Sequence, residues 1–175
     1  YADQDTDGVF EIYSVGALGG TAVKLNGPLP PGGTVTAAGQ QFTPDSSRVV
    51  YLAGQDTADV IELYSVLATG GTPVKLNSPL TSGGDVQAVH VSPDGSRVLY
   101  LADQDVDNTF ELYLVPTTGG TPVKVNGPLA AGGNATSSGL QFSPDGNKVL
   151  YAADQDTVGV MEAYVRVIRD RANPG

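Results

Sequence analysis

Ten of the chain's 19 acidic residues stand in four short, similar stretches: Asp3, Asp5 and Asp7; Asp56 and Asp59; Asp103, Asp105 and Asp107; Asp154 and Asp156. In two of these the carboxylates alternate, as Asp3-x-Asp5-x-Asp7-Gly8 and Asp103-x-Asp105-x-Asp107. Alternate carboxylates on a tight loop can converge on a hard cation, with oxygen ligands at about 2.3–2.6 Å, so calcium is the metal such triplets would hold. An EF-hand is excluded, because the twelfth position, which should be Glu, is Ser14 in one stretch and Leu114 in the other. The competing role is turn chemistry, in which Asp and Asn cap tight turns and keep an edge soluble, and the sequence favours it.

The other polar candidates carry less chemistry. Glu11, Glu62, Glu111 and Glu162 recur at one position of a strand-like segment, and a carboxylate covered on both sides needs a partner. The equally periodic Arg48, Arg97 and Lys148, or Lys24, Lys75 and Lys124, are the cross-strand partners on offer. His90 is the lone histidine and shares its slot with Gln41 and Gln141, which makes it a hydrogen-bonding position on a strand. With no cysteine, one histidine and no Gly-x-Ser-x-Gly, neither a Ser-His-Asp triad nor a thiolate or histidine metal site can be assembled. The expectation is therefore a protein that is not an enzyme. Asn134-Ala135-Thr136 fits a glycosylation sequon in a host that glycosylates.

These residues are placed by a repeat. Gln4, Gln55, Gln104 and Gln155 mark periods of 51, 49 and 51 residues, and Tyr13, Tyr64, Tyr113 and Tyr164 keep step with them. A fixed period of this size means one supersecondary unit copied and stacked. Within a period, two-residue alternation and turn residues mark four short strands and no helix. Position A runs from Thr34 to Thr43 in the first copy, B from Arg48 to Ala53, C from Val9 to Val15 and D from Thr21 to Asn26. Tyr1–Asp3 is the end of a B strand. Strand A is rich in small residues, as in VTAAGQQF and ATSSGLQF, which suits a crowded position.

The run SPDGSRVLYLADQDVDNTFELYLVPTTGGTPVKV, from Ser92 to Val125, resembles the TolB-type, PD40 or WD40-like propeller repeat. It shares the Ser-Pro-Asp-Gly turn, the apolar strand, the Asp-rich hairpin, the Glu-Leu-Tyr strand and the Gly-Gly-x-Pro. The resemblance covers nearly the whole chain and implies an all-β β-propeller of four-stranded antiparallel blades, A innermost and D outermost. The copies also differ: Thr43-Pro44-Asp45-Ser46 lacks the Gly, Gly54-Gln55-Asp56 replaces Asp-Gln-Asp, and Val165 to Gly175 replaces strand D in the last copy.

The expected domain is one propeller over residues 1–175, in repeats of about 1–51, 52–100, 101–151 and a truncated 152–175. Four to eight blades close a propeller, so this strand count leaves a ring to be completed. The missing strands would come either from further blades before Tyr1, with Arg169 to Gly175 as the C-terminus, or from a second copy. Thr21 to Arg166 reads D-A-B-C three times, so two copies would supply six blades.

A net charge of −10 excludes a nucleic-acid partner, and no apolar run is long enough to span a bilayer. Hydrophobic content of 40% against 16% charged residues marks a folded chain. What remains is a non-catalytic binding or scaffold module, with a protein or peptide partner presented to the acidic loops and to NGPLPPGG, NSPLTSGG and NGPLAAGG on the same face. The resemblance implies a secreted, periplasmic or cell-envelope location. Two rivals stand beside it: the non-catalytic propeller of a larger peptidase or hydrolase, and a self-assembling structural repeat.

Overall fold

The computed structural model describes residues 1–168, and the expectation placed on Arg169 to Gly175 lies outside them. Thirteen strands are described, all antiparallel to their neighbours. β1 (Tyr13–Ser14) pairs with β2 (Val23–Lys24). β3 (Gln41–Phe42), β4 (Arg48–Ala53), β5 (Glu62–Leu67) and β6 (Val74–Lys75) form one four-stranded meander, and β7 (Val86–Val91), β8 (Arg97–Ala102), β9 (Glu111–Pro116) and β10 (Val123–Lys124) form a second. β11 (Ala135–Phe142), β12 (Lys148–Ala153) and β13 (Glu162–Val167) form a three-stranded sheet. The two four-stranded sheets run A-B-C-D in chain order, so the four-stranded blade is borne out; the first sheet holds C and D, and among the described residues the last holds A, B and C.

Blades are joined by their faces. Tyr51, Tyr64, Val66, Ile12 and Leu25 form a core between the first two sheets; Leu52, Leu63, Leu76, Val98 and Tyr100 form the next; Leu99, Leu112, Val125, Val149 and Tyr151 form the third. Each fully buried Leu or Tyr there contributes about 1.5–3 kcal/mol. Within blades, cross-strand tyrosines stack, Tyr51 on Tyr64 at 5.5 Å and Tyr100 on Tyr113 at 5.2 Å between ring centroids. No core joins the first sheet to the last among the described residues.

The innermost strand explains the uneven period. In the second full blade one extra residue bulges between Val86↔Ala102 and Ala88↔Leu101. In the last sheet five residue steps, Thr136 to Gln141, face only two, Ala152 to Leu150. The insertion is two residues larger there, which is the difference between periods of 51 and 49. The same insertion breaks the continuous strand expected over Thr34 to Thr43: only a Val35↔Ala53 bridge and Gln41–Phe42 pair, with Gly39 between them at φ +88°. Extra residues have no partner on B, so the backbone buckles outward.

Strands C and D of the first copy are likewise shorter than expected. Val9 to Val15 is reduced to β1 and an Ala2↔Glu11 bridge, because almost no B strand pairs with C there, and Thr21 to Asn26 is reduced to β2, the two-residue length that strand D also has in β6 and β10. That bridge does identify Tyr1–Asp3 as the end of strand B.

Candidate functional site: the acidic rim

Antiparallel alternation sends the B-to-C loops and the D-to-A loops to the same end of the blades, and the structure interlocks them. The Gly27 N–H donates to Gln55 Oε1 at 2.8 Å, Ser78 N–H to Gln104 Oε1 at 3.0 Å, and Gly127 N–H to Gln155 Oε1 at 2.7 Å. Each glutamine is held in turn by the hydroxyl of Tyr51, Tyr100 or Tyr151. So Gln55, Gln104 and Gln155 each clamp the linker leaving the preceding blade. These glutamines served only as repeat landmarks in the sequence; their constant offset from the tyrosines of strand B was the signal that could have identified them.

The aspartates of the triplets are put to separate uses. Asp103 accepts from the backbone N–H groups of Asn108 (2.9 Å) and Asp85 (2.7 Å), closing its own hairpin and holding the entry to strand A of its own blade. Asp3 faces Gly8 N–H at 3.4 Å in the same way, and Asp154 accepts from Gly159 and Asn134. Asp5 and Asp105 reach the Lys24 and Lys124 ammonium groups at 2.5 and 2.9 Å. Asp7 and Asp107 are exposed at the loop tips. Asp3, Asp5 and Asp7, and likewise Asp103, Asp105 and Asp107, thus point to a turn, a lysine and solvent, respectively. No group of three or more His, Asp or Glu side chains is placed to hold a metal ion among the described residues.

The second copy shows why Gly54 replaces the first aspartate. Its loop folds so closely that a Cβ at Gly54 would collide with the Ala58 carbonyl. The turn residue that takes φ of +77° at Gly8, +61° at Asn108 and +79° at Gly159 has no left-handed counterpart in that copy.

Behind the loops, Glu11, Glu62 and Glu111 each sit in a polar cage, whereas Glu162 is exposed. The Lys24 ammonium, the Tyr13 hydroxyl and the Asn26 amide donate to the Glu11 carboxylate at 2.7, 2.7 and 3.3 Å, while Asn26 Oδ1 accepts from Ile12 N–H. Glu62 with Tyr64, Lys75 and Asp56, and Glu111 with Tyr113, Lys124 and Asp105, repeat the arrangement. Of the two partner sets read from the sequence, strand D's lysines are the ones used. Arg48 lies at the far end of strand B opposite Leu67, where it bonds Ser65. Burial pushes the Glu11 carboxyl up, but donation by Lys24, Tyr13 and Asn26 outweighs it and holds the carboxyl below its usual range. Burial likewise pushes Lys75 down, and Asp56 and Glu62 more than reverse it. Asn26, Asn77 and Asn126 were missed as cage members, although each follows its glutamate by 15 positions.

The lone histidine sits on an inner strand, and burial pushes its imidazole down. Gln41, in the corresponding slot, spans two blades by donating to Val89 C=O and accepting from Val91 N–H. Asn134 of the sequon accepts from Phe110 N–H at 2.7 Å and so serves as a blade link, as Asp85 does for Ile61.

Residues 21–143 match the family model described as the lipoprotein LpqB β-propeller domain. Among solved structures, the chain is similar to a protein described as TolB from Agrobacterium tumefaciens, with 20% identity, a TM-score of 0.56 and coverage of 91% of this chain and 55% of that one. It is similar also to oligogalacturonate lyase from Vibrio parahaemolyticus, with 17% identity, a TM-score of 0.56 and coverage of 92% and 42%. A third likeness is to a protein described as a dipeptidyl aminopeptidase IV from Bacteroides ovatus, with 16% identity, a TM-score of 0.58 and coverage of 83% and 22%. The chain spans about half the length of the first of these and less of the others. No curated protein matches it.

Proposed function

The chain belongs to the family of LpqB-type lipoprotein β-propeller domains, and on that footing we propose that it is a non-catalytic binding module of the cell envelope whose acidic rim receives a protein or peptide partner. The observation that carries this reading is the composition of the rim. Asp7, Asp59, Asp107 and Asp156 are exposed at the loop tips, and exposed Val106 (57%) and Val158 (55%) stand beside them. Carboxylates with apolar tips on interlocked, rigid loops suit a basic segment that also carries aliphatic side chains. The glutamate cages are architectural, because each is filled by its own blade. No helix among the described residues is long and apolar enough to cross a membrane.

The test is binding of a labelled peptide rich in Lys and Leu, followed by anisotropy at low and high salt. Association that weakens with salt and is lost in a chain carrying Asp7→Lys, Asp59→Lys, Asp107→Lys and Asp156→Lys supports the rim. Salt-independent association, or none, overturns it.

A second reading is favoured by the peptidase and lyase likenesses: the chain as the propeller portion of a larger hydrolase. A full-length sequence bearing a hydrolase domain would decide for it. Self-assembly into a structural array is the third, and concentration-dependent mass in light scattering would support it.

A further inference from the structure

The chain holds two Asn-Gly pairs, Asn26-Gly27 and Asn126-Gly127, and both stand where strand D hands over to the linker. Asparagine before glycine is open to succinimide formation, because no side chain shields the following nitrogen. In this fold the groups that reaction needs are all engaged. The Gly127 N–H donates to Gln155 Oε1 at 2.7 Å and faces the Tyr151 hydroxyl at 3.3 Å. Asn126 Oδ1 accepts the Leu112 N–H at 2.7 Å, and its Nδ2 donates to the Gly127 carbonyl at 2.9 Å. Asn26 repeats this with the Ile12 N–H, the Gly27 carbonyl and Glu11, while the Gly27 N–H donates to Gln55 Oε1 at 2.8 Å. Both asparagines are buried. The glycines answer to the clamp: a Cβ at Gly127 would stand 2.8 Å from Gln155 Oε1, and one at Gly27 would stand 3.0 Å from Gln55 Nε2. At Ser78, which carries a side chain, the clamp is the longest of the three, 3.0 Å. A reactive dipeptide is thus the consequence of a tight clamp.

We propose that Asn26 and Asn126 are self-modification sites, kept as asparagine by the glutamine clamps and deamidated to aspartate and isoaspartate wherever a clamp opens. An N–H held by an acceptor gives up its proton less readily, and an amide fixed at both Oδ1 and Nδ2 does not turn its carbon toward the backbone. Once Gln155 lets go, the Gly127 nitrogen adds to Asn126 Cγ, the Cγ–Nδ2 bond breaks, and ammonia departs with the proton that nitrogen gave up. Water then opens the succinimide at either carbonyl. The product does not fit the cage it left. A carboxylate at position 26 loses the donor to the Gly27 carbonyl and faces Glu11 as a like charge, and one at position 126 loses the donor to the Gly127 carbonyl. Isoaspartate carries the chain through Cβ and so withdraws the glycine N–H from its glutamine. Each opening of a linker is thereby fixed in the covalent chain, whatever the rim binds.

The test follows both asparagines in one chain by peptide mapping with mass spectrometry during incubation at neutral pH, with isoaspartate counted by enzymatic methyl transfer. In the native chain both are expected to convert at least tenfold more slowly than Asn126 in the synthetic peptide TPVKVNGPLAAG, residues 121–132. Gln155→Leu, which keeps the bulk and removes the acceptor, is expected to speed Asn126 at least tenfold and to leave Asn26 unchanged. Gln55→Leu is expected to do the reverse. Gln155→Glu retains an acceptor oxygen and is expected to protect Asn126 as the parent does. General unfolding exposes both pairs, so the untouched pair in each variant measures the intact fold, and the comparison of native chain with peptide needs no variant. Three results would each overturn the proposal: conversion in the native chain at the peptide's rate, no acceleration in a Leu variant, or equal acceleration of both pairs in a Leu variant whose unfolding midpoint shows it folded.

Discussion

Lys75 Nζ lies 2.6 Å from Glu62 Oε1, and this pair is the hinge on which each blade's outer strand is fastened to the rest of its sheet. The strand it fastens has only two paired residues, Val74 and Lys75, both exposed. Two ladder positions cannot hold a strand in place, so the cage of Glu62, Tyr64, Asn77 and Asp56 around them must do so.

Removing the ammonium therefore leaves a buried carboxylate without its cation. Lys75→Met is expected to destabilise the chain by about 1–2 kcal/mol, below the value for fully buried pairs because Lys75 is a third exposed. The check is denaturant unfolding of Lys75→Met, Glu62→Gln and the double variant. Additive losses would show that the two residues are not coupled.

Acid stability should report on the A-to-B turns. Thr43 donates to Asp45 at 2.6 Å and Ser92 to Asp94 at 2.6 Å, with Ser47 and Ser96 N–H groups completing each turn, and both carboxyls are held down at about 2. Their folded values lie below the unfolded 3.8, so the stabilisation is full above pH of about 4 and is lost as pH falls toward 2. Asp94→Asn should flatten that acid limb in a series of thermal melts. An unchanged limb would count against these turns as its source.

Ser46 occupies a left-handed position, φ +58°, that Gly95 and Gly146 fill in the other copies at +72° and +66°. A side chain there is strained, whereas glycine is not. Ser46→Gly is expected to raise stability by about 0.5–1 kcal/mol, read as a higher unfolding midpoint.

Calcium is tested by the same melts, run with saturating calcium and with a chelator. Lys24 and Lys124 already neutralise Asp5 and Asp105, and Asp3 and Asp103 face backbone N–H groups. The two midpoints should therefore coincide. A calcium-dependent rise would instead assign the ion to Asp3, Asp5 and Asp7 or to Asp103, Asp105 and Asp107.

Much of this was legible in the chain itself. Landmarks at constant offsets required a copied unit, two-residue alternation made its elements strands, and Gly, Pro and Asp at fixed places marked the turns. Local chemistry alone dictates those features, which is why the blade order A-B-C-D and the shared face of the loops could be read in advance.

Tertiary structure decided matters in which residues distant in sequence compete for one partner. Glu62 had both Arg48 and Lys75 within reach of the pattern. Antiparallel register puts Arg48 at the opposite end of its strand and Lys75 opposite Tyr64, one pleat from the glutamate on the same face. The Asp triplets were ambiguous for the same reason: spacing shows that carboxylates could converge, but only the fold brings Lys24 to Asp5 and the Asn108 N–H to Asp103. The two-residue excess in the first and last inner strands was visible as a change of period. That it becomes a bulge beside Gly39 and a break in strand A depends on the length of the strand it must pair with, which a single segment does not encode.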